Sequence, residues 1–165
     1  MPLLMLMRHG KSCWDGPWRS DHERPLAPRG ERAAVRMGRF LNHAGYQPTI
    51  VISSTAERAV ATARLAVEGG GWDCRAVFEE GLYGGSLEVV LDIVGSLDPA
   101  VDRVLMVGHN PTWEEMISLL IGGGHFRFPT AAVACLEIDG AWCDVRRGTA
   151  DLRWFVTPRL LKAAL

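Results

Sequence analysis

Leu3-Leu4-Met5-Leu6-Met7-Arg8-His9-Gly10 decides the reading of this chain. Five consecutive apolar residues without polar alternation fit a short strand covered on both faces, as in a parallel sheet. The run stops in a cation and an imidazole, the two kinds of side chain that bind and attack a phosphoryl group. Two more strand-to-helix junctions carry the same equipment. Residues 49–53 form a β-branched run that leads into Arg58, and residues 103–107 lead into Gly108-His109-Asn110-Pro111. Two histidines and two arginines, each just past a strand, indicate a phosphate site more strongly than any one of them does.

Between these junctions the periodicity turns helical. Residues 29–42 place Ala33, Met37, Phe40 and Leu41 on one stripe, with Gly45 as a stop. Ser54-Thr55-Ala56-Glu57 fits a capping box that opens a helix with Ala56, Ala59, Val60, Ala63 and Val67 inward, ended by Gly69-Gly70-Gly71. Residues 75–78 read as a third strand. Residues 86–97 read as a helix closed by Pro99. Thr112-Trp113-Glu114-Glu115 reads as a second capping box, opening a helix to Ile121. Residues 131–138 and 142–146, joined across Asp139-Gly140, suggest a β-hairpin, and a short helix follows Pro158. Strand and helix alternate without repeats or linkers, so the expected fold is a three-layer α-β-α sandwich around a mostly parallel sheet, with an antiparallel edge. Ligands in such sheets collect beyond the carboxyl ends of the strands, where Arg8, His9, Arg58 and His109 all fall.

Composition sets the bounds. The chain has 165 residues, 48% hydrophobic and 22% charged, with a formal net charge of -1. That describes a globular chain and gives no general reason to expect nucleic acid as a partner. Charge is uneven, however: from Arg8 to Arg39 there are eight Lys/Arg against four Asp/Glu. Such a run fits a solvated helix face for most of its residues, Arg8 and Arg24 excepted, better than an entrance that draws in anions. The four cysteines form no CxxC pair and no zinc-like spacing with histidine, which suits reduced thiols in a cytoplasm and predicts no metal. The N-terminal apolar run has no charged leader or cleavage motif and reads as a strand, not a signal peptide. No apolar stretch approaches the roughly 20 residues a membrane helix requires, so no membrane partner is expected.

The chemistry follows from the side chains. A phosphoryl group in transfer spreads charge over its equatorial oxygens, which arginine forks meet with permanently charged bidentate hydrogen bonds. Arg58, in the first turns of its helix, adds the positive helix end to the same field. A neutral imidazole keeps one lone pair for attack while its other nitrogen holds a proton. His9 is the candidate nucleophile, and His109 the candidate donor to a phosphoryl oxygen. Such a reaction needs neither metal nor cofactor, and it ends by releasing inorganic phosphate.

These motifs resemble the histidine phosphatase superfamily, also called phosphoglycerate mutase-like, and most closely its short SixA-type branch of phosphohistidine phosphatases. The resemblance rests on Arg8-His9-Gly10-Lys11-Ser12-Cys13-Trp14-Asp15, Asp21-His22-Glu23-Arg24-Pro25-Leu26 with Arg29-Gly30, Ser53-Ser54-Thr55-Ala56-Glu57-Arg58-Ala59 with Thr62-Ala63, and Gly108-His109-Asn110-Pro111. They run in the family's order, and the chain lacks the long insertions of the mutases. One departure is Thr55, where the family usually has proline. The resemblance implies one histidine phosphatase domain over residues 1–165, a phosphohistidine intermediate on His9, phosphate held by Arg8, Arg24, Arg58 and His109, and a cytoplasmic protein. Glu80-Gly81-Leu82-Tyr83-Gly84 resembles the segment where many members place their acid, which makes Glu80 a candidate general acid.

Several residues stay open between two readings. Arg24 either contacts phosphate or pairs with Asp21, and the two can coexist. Trp14 and Trp18 fit packing against the first helix better than a substrate wall. Lys11 and Ser12 read as exposed loop, and His22, His43 and His125 as surface. The substrate expected is phosphohistidine in a signalling or phosphotransfer protein. The competing expectations are a small phosphoester such as a sugar phosphate, or a phosphate-binding module without turnover.

Overall fold

The computed structural model of the chain describes residues 1–164. Four strands run parallel: β1 (Leu3–Arg8), β2 (Ile50–Ser54), β3 (Arg75–Glu79) and β4 (Arg103–Gly108). Two more, β5 (Val133–Ile138) and β6 (Ala150–Val156), extend the sheet: β5 pairs antiparallel with β1, and β6 antiparallel with β5. The order across the sheet is β3-β2-β4-β1-β5-β6. Five helices cover it: α1 (Pro28–His43), α2 (Glu57–Gly70), α3 (Leu87–Gly95), α4 (Thr112–Leu120) and α5 (Pro158–Ala164).

The strand alternation explains the three layers. Leu4 and Leu6 of β1, with Val104 and Met106 of β4, pack against Val90 and Val94 of α3 and Met116 and Ile117 of α4. Met5 and Met7, with Leu105 and Val107, face the other way, onto Ala34, Met37 and Leu41 of α1 and Ala59, Ala63 and Ala66 of α2. Every one of the apolar residues Leu4–Met7 is fully buried, as the unbroken run required. Helices α1 and α2 approach closely because Gly38 lies on the backbone of Ala66 and Gly69 on that of Val35, with no room for a β-carbon at either.

The chain from β1 crosses to β2 over one face, whereas the chain from β4 reaches β5 over the other. Adjacent β1 and β4 therefore part at their carboxyl ends, the switch point where ligands bind in such sheets. No helix among the described residues is long and apolar enough to cross a membrane.

Three expectations need correction. Residues 142–146 are not a strand: Trp142–Asp144 is one 3-10 turn, and the partner of β5 is β6, at residues 150–156. Trp142 is buried, and its indole N–H donates to the Val101 carbonyl at 2.8 Å, which anchors this segment below the sheet. Neither capping box forms. The N-cap of α2 is Ala56 and that of α4 is Pro111, both without a side-chain cap. Ser54, the capping serine of the first box, bonds His109 instead, and the helix of the second box already begins at Thr112, so that Thr112 is its first residue and not its cap.

Candidate active site

At the β1–β4 fork lies a pocket of about 320 Å³ lined by twelve residues: Arg8, His9, Lys11, Ser12, Trp14, Arg24, Arg58, Tyr83, Gly84, His109, Asn110 and Thr130. Of the residues the sequence singled out, Arg8, His9, Arg24, Arg58 and His109 all meet here. Glu80 does not. It stands exposed at the start of a 3-10 turn, Glu80–Leu82, and only Tyr83 and Gly84 of its motif reach the pocket.

His9 is held from both sides of its backbone. Its N–H donates to the Gly108 carbonyl at 3.0 Å, and its carbonyl accepts from Ala131 N–H at 3.0 Å. Gly10 comes so near the first turn of α1 that a β-carbon would lie 2.7 Å from the Gly30 carbonyl oxygen, which explains the glycine at both places. The N–H of Gly10 donates to Thr62 Oγ1 at 2.9 Å, tying this loop to α2.

The partners of the His9 ring fix its proton. Nδ1 lies 2.7 Å from the Gly10 carbonyl oxygen, which can only accept, so Nδ1 carries the hydrogen. Nε2 is then the unprotonated nitrogen, and its lone pair accepts from Arg58 Nε–H at 3.3 Å, a long bond between two side chains that both line the pocket. Burial, together with the cations of Arg58, Arg8 and Arg24, outweighs the hydrogen bond to Gly10 and pulls the His9 pKa down to about 4. Burial likewise lowers His109 to about 3, helped by His9 and Arg58. Both imidazoles are thus neutral near pH 7. Their ring centroids lie 5.2 Å apart. His109 Nε2 lies 2.7 Å from Ser54 Oγ, which also accepts from Ala56 N–H. With Ser54 as donor to His109, the buried hydroxyl proton is satisfied as well, and the His109 proton resides on Nδ1.

The arginines are organised by Asp21, in a 3-10 turn Asp21–Glu23. Arg58 Nη1 donates to the Asp21 carbonyl at 2.8 Å and Nη2 to Oδ2 at 3.0 Å. Arg24 meets Oδ1 at 3.2 Å, and Tyr83 Oη donates to Oδ2 at 2.9 Å. Burial pushes the Asp21 carboxyl up, but the hydrogen bonds from Tyr83 and Arg58 prevail and hold it below the ordinary range, so it stays an anion. Arg24 is itself buried; it donates to Ser12 Oγ at 2.6 Å and stacks over Trp14 at 3.7 Å. Its ion pair and its place in the pocket coexist. Arg8 Nη1 donates to the Phe128 carbonyl at 3.0 Å, while its buried Nε has no protein acceptor.

The structure changes other assignments. Trp14 is 70% exposed and forms a wall of the pocket rather than packing on α1. Ser12 is buried, and Lys11 also lines the pocket. His22 is half-buried, bonded to Thr55 Oγ1 at 2.9 Å and set edge-on to Tyr83. Asn110, Thr130 and the Ser54–His109 bond were not read from the sequence; only the adjacency of Asn110 to His109 hinted at any of them.

The depressed histidines give a measurable consequence. In an NMR titration of the free protein, His9 is expected to change charge near pH 4 and His109 near pH 3, well below the ordinary 6.5. A midpoint near 6.5 for His9 would mean a solvated site. The sign for stability follows: the unfolded chain binds these protons first, so stability is full above about 6.5 and falls as pH drops toward 4.

Known proteins align with this site. The pattern describing the histidine phosphatase superfamily (branch 1) matches residues 4–84, which include Arg8, His9, Arg24 and Arg58. An uncharacterised protein of Mycobacterium tuberculosis (strain H37Rv) is 37% identical over 164 residues, covering 93% of this chain and 100% of that one. A solved structure from Nakamurella, described as a candidate phosphohistidine phosphatase SixA, superposes with a TM-score of 0.79 at 29% identity, over 95% of this chain and 96% of its own. One from Agrobacterium tumefaciens with the same description gives 0.80 at 26%, over 96% and 99%. The site, the sheet order and these relatives agree: the chain is a phosphatase of the histidine phosphatase superfamily, in its SixA-type branch.

Proposed function

We propose that this protein removes the phosphoryl group from phosphohistidine in a signalling or phosphotransfer protein, through a phosphohistidine intermediate on its own His9. The observation that carries the proposal is the make-up of the pocket. Its twelve lining residues include three arginines, a lysine and two histidines but no carboxylic acid. Asp21, the carboxylate bonded to the lining residues Arg24, Arg58 and Tyr83, is held ionised by those partners and has no proton to give.

This composition suits one leaving group above others. His9 Nε2 attacks phosphorus as the bond from phosphorus to the substrate's imidazole nitrogen breaks. When the substrate ring carries a proton on its other nitrogen, it departs as neutral imidazole, and His9 becomes the protonated, phosphorylated ring. Nucleophile and leaving group are the same chemical group, so no acid is needed. Water then attacks phosphorus, the bond to His9 Nε2 breaks, and inorganic phosphate leaves. Arg8, Arg24 and Arg58 hold the equatorial oxygens, and the His109 N–H donates as charge builds. An alkyl phosphate would instead expel an alkoxide and require a proton donor. The pocket is also open on the side of Trp14, which suits a side chain presented by a partner. Four free cysteines fit a protein working in a reducing cytoplasm.

The test is phosphate release, with EDTA present, from a phosphohistidine-bearing protein and from glycerol 3-phosphate, in the parent and in Glu80→Gln. The expected result is fast release from the phosphoprotein, slow release from the ester, and no response to the substitution. Fast ester hydrolysis that collapses in Glu80→Gln would instead make this a small-molecule phosphatase with a mobile acid.

A further inference from the structure

Next to the catalytic pocket, and sharing Lys11 and Thr130 with it, a groove of about 690 Å³ runs between α1 and α5. Six of its eleven lining residues are cations: Lys11, Arg29, Arg32, Arg36, Arg159 and Lys162; none is acidic. In a chain of net charge -1, that is a strong local excess. Arg29, Arg32 and Arg36 share one face of α1 by their spacing, where like charges three and four residues apart destabilise a helix. None of the six takes part in an ion pair among the described residues. Arg39 continues the row beside Arg32 and Arg36 in the adjoining hollow. From Arg29 to Arg39 the helix rises about 15 Å, longer than a single phosphate can occupy.

We propose that this groove docks an acidic segment of the phosphorylated partner, laying its carboxylates along α1 while the phosphohistidine enters the adjoining pocket. The assignment rests on the phosphohistidine reading for the identity of the partner. A row of cations, exposed except for the half-buried Arg36 and with no fully buried polar group among them, suits many weak charge contacts that steer association and set register. No aromatic side chain lines the groove, so it lacks the stacking platform of a single-stranded nucleic acid site. On this proposal Arg29, Arg32 and Arg36 form an entrance for anions instead of the solvated face expected from their sequence.

The test uses fluorescent peptides of about fifteen residues carrying a central histidine, flanked by glutamates or by alanines, in unphosphorylated and phosphohistidine forms. Anisotropy on the unphosphorylated pair should show the acidic peptide binding the parent at least tenfold tighter than the alanine one. Arg32→Glu/Arg36→Glu, or the gentler Arg32→Gln/Arg36→Gln, should remove that preference, as should raising salt from about 0.05 to about 0.5 M. Turnover of p-nitrophenyl phosphate should stay within about twofold of the parent, because neither arginine lines the catalytic pocket. Equal binding of the two peptides, or a preference that survives charge reversal, would overturn the docking surface. Tighter binding of an oligonucleotide than of the acidic peptide would overturn the choice of partner. Hydrolysis of the phosphohistidine forms reports separately on the reaction: peptide binding with no turnover would leave the groove standing and remove the phosphohistidine reading.

Discussion

His9→Ala is expected to lower phosphatase turnover on the order of 10⁶-fold, the scale of losing a covalent nucleophile whose supporting groups remain. No neighbour can take its place. His109, the other neutral imidazole, has its Nε2 committed to Ser54, and its ring centroid lies 5.2 Å from that of His9. Lys11 lines the same pocket, but as an ammonium it has no lone pair to offer. The variant should still fold. The backbone bonds of residue 9 to Gly108 and Ala131 do not involve the ring, and the lost ring leaves two groups without a partner, the Gly10 carbonyl and the Arg58 Nε–H, at about 1–3 kcal/mol each. Phosphate affinity should persist because the arginines stay. Denaturing gels after a rapid quench at alkaline pH should show an acid-labile phosphoenzyme in the parent and none in the variant. Activity in His9→Ala within tenfold of the parent would remove the covalent mechanism.

How far the sequence reached depends on what kind of signal each feature leaves. The central strands were legible because residues buried on both faces must be apolar without interruption, and residues 3–7 and 104–107 are. Arg8, His9 and His109 were legible because each directly follows such a strand, so that locating the strand locates the residue. The edge of the sheet was not. Residues 142–146 have an Asp-Gly pair before them and the right length, yet the buried indole of Trp142 draws them out of the sheet, and nothing local marks a tryptophan as an anchor. The capping boxes failed for related reasons: Ser54 was read as serving the helix end nearest it in sequence, whereas it bonds across the fold to His109, and Thr112 was read as a cap although the helix starts on it, after Pro111. Glu80 carried a local motif, but its side chain stays out of the pocket because the turn brings only Tyr83 and Gly84 inward. The hub at Asp21 joins residues 24, 58 and 83, three separate segments, so pairing it with Arg24 was visible and its wider role was not.

That hub sets the second large effect, Arg58→Ala, expected to reduce kcat by about 10²- to 10³-fold, as for loss of one strong transition-state donor. The guanidinium is buried, and it bonds at once to the Asp21 carbonyl, the Asp21 carboxylate and the His9 lone pair. It therefore positions the nucleophile and also presents charge where the phosphoryl oxygens will lie. Alanine removes both. The Asp21 anion keeps Arg24 and Tyr83, so the loop is not left with a lone charge, and the loss should fall mainly on turnover rather than on folding. Arg58→Lys separates the two roles: it restores the charge, but an ammonium has no planar fork to span Asp21 and His9 together. Its rate should lie between alanine and parent. The His9 titration provides a readout that simple loss of packing would not move: with one of its three lowering cations gone, the His9 midpoint should rise above 4 in Arg58→Ala and stay low in Arg58→Lys. An unchanged rate and an unmoved midpoint in Arg58→Ala would place the phosphoryl group elsewhere in the pocket.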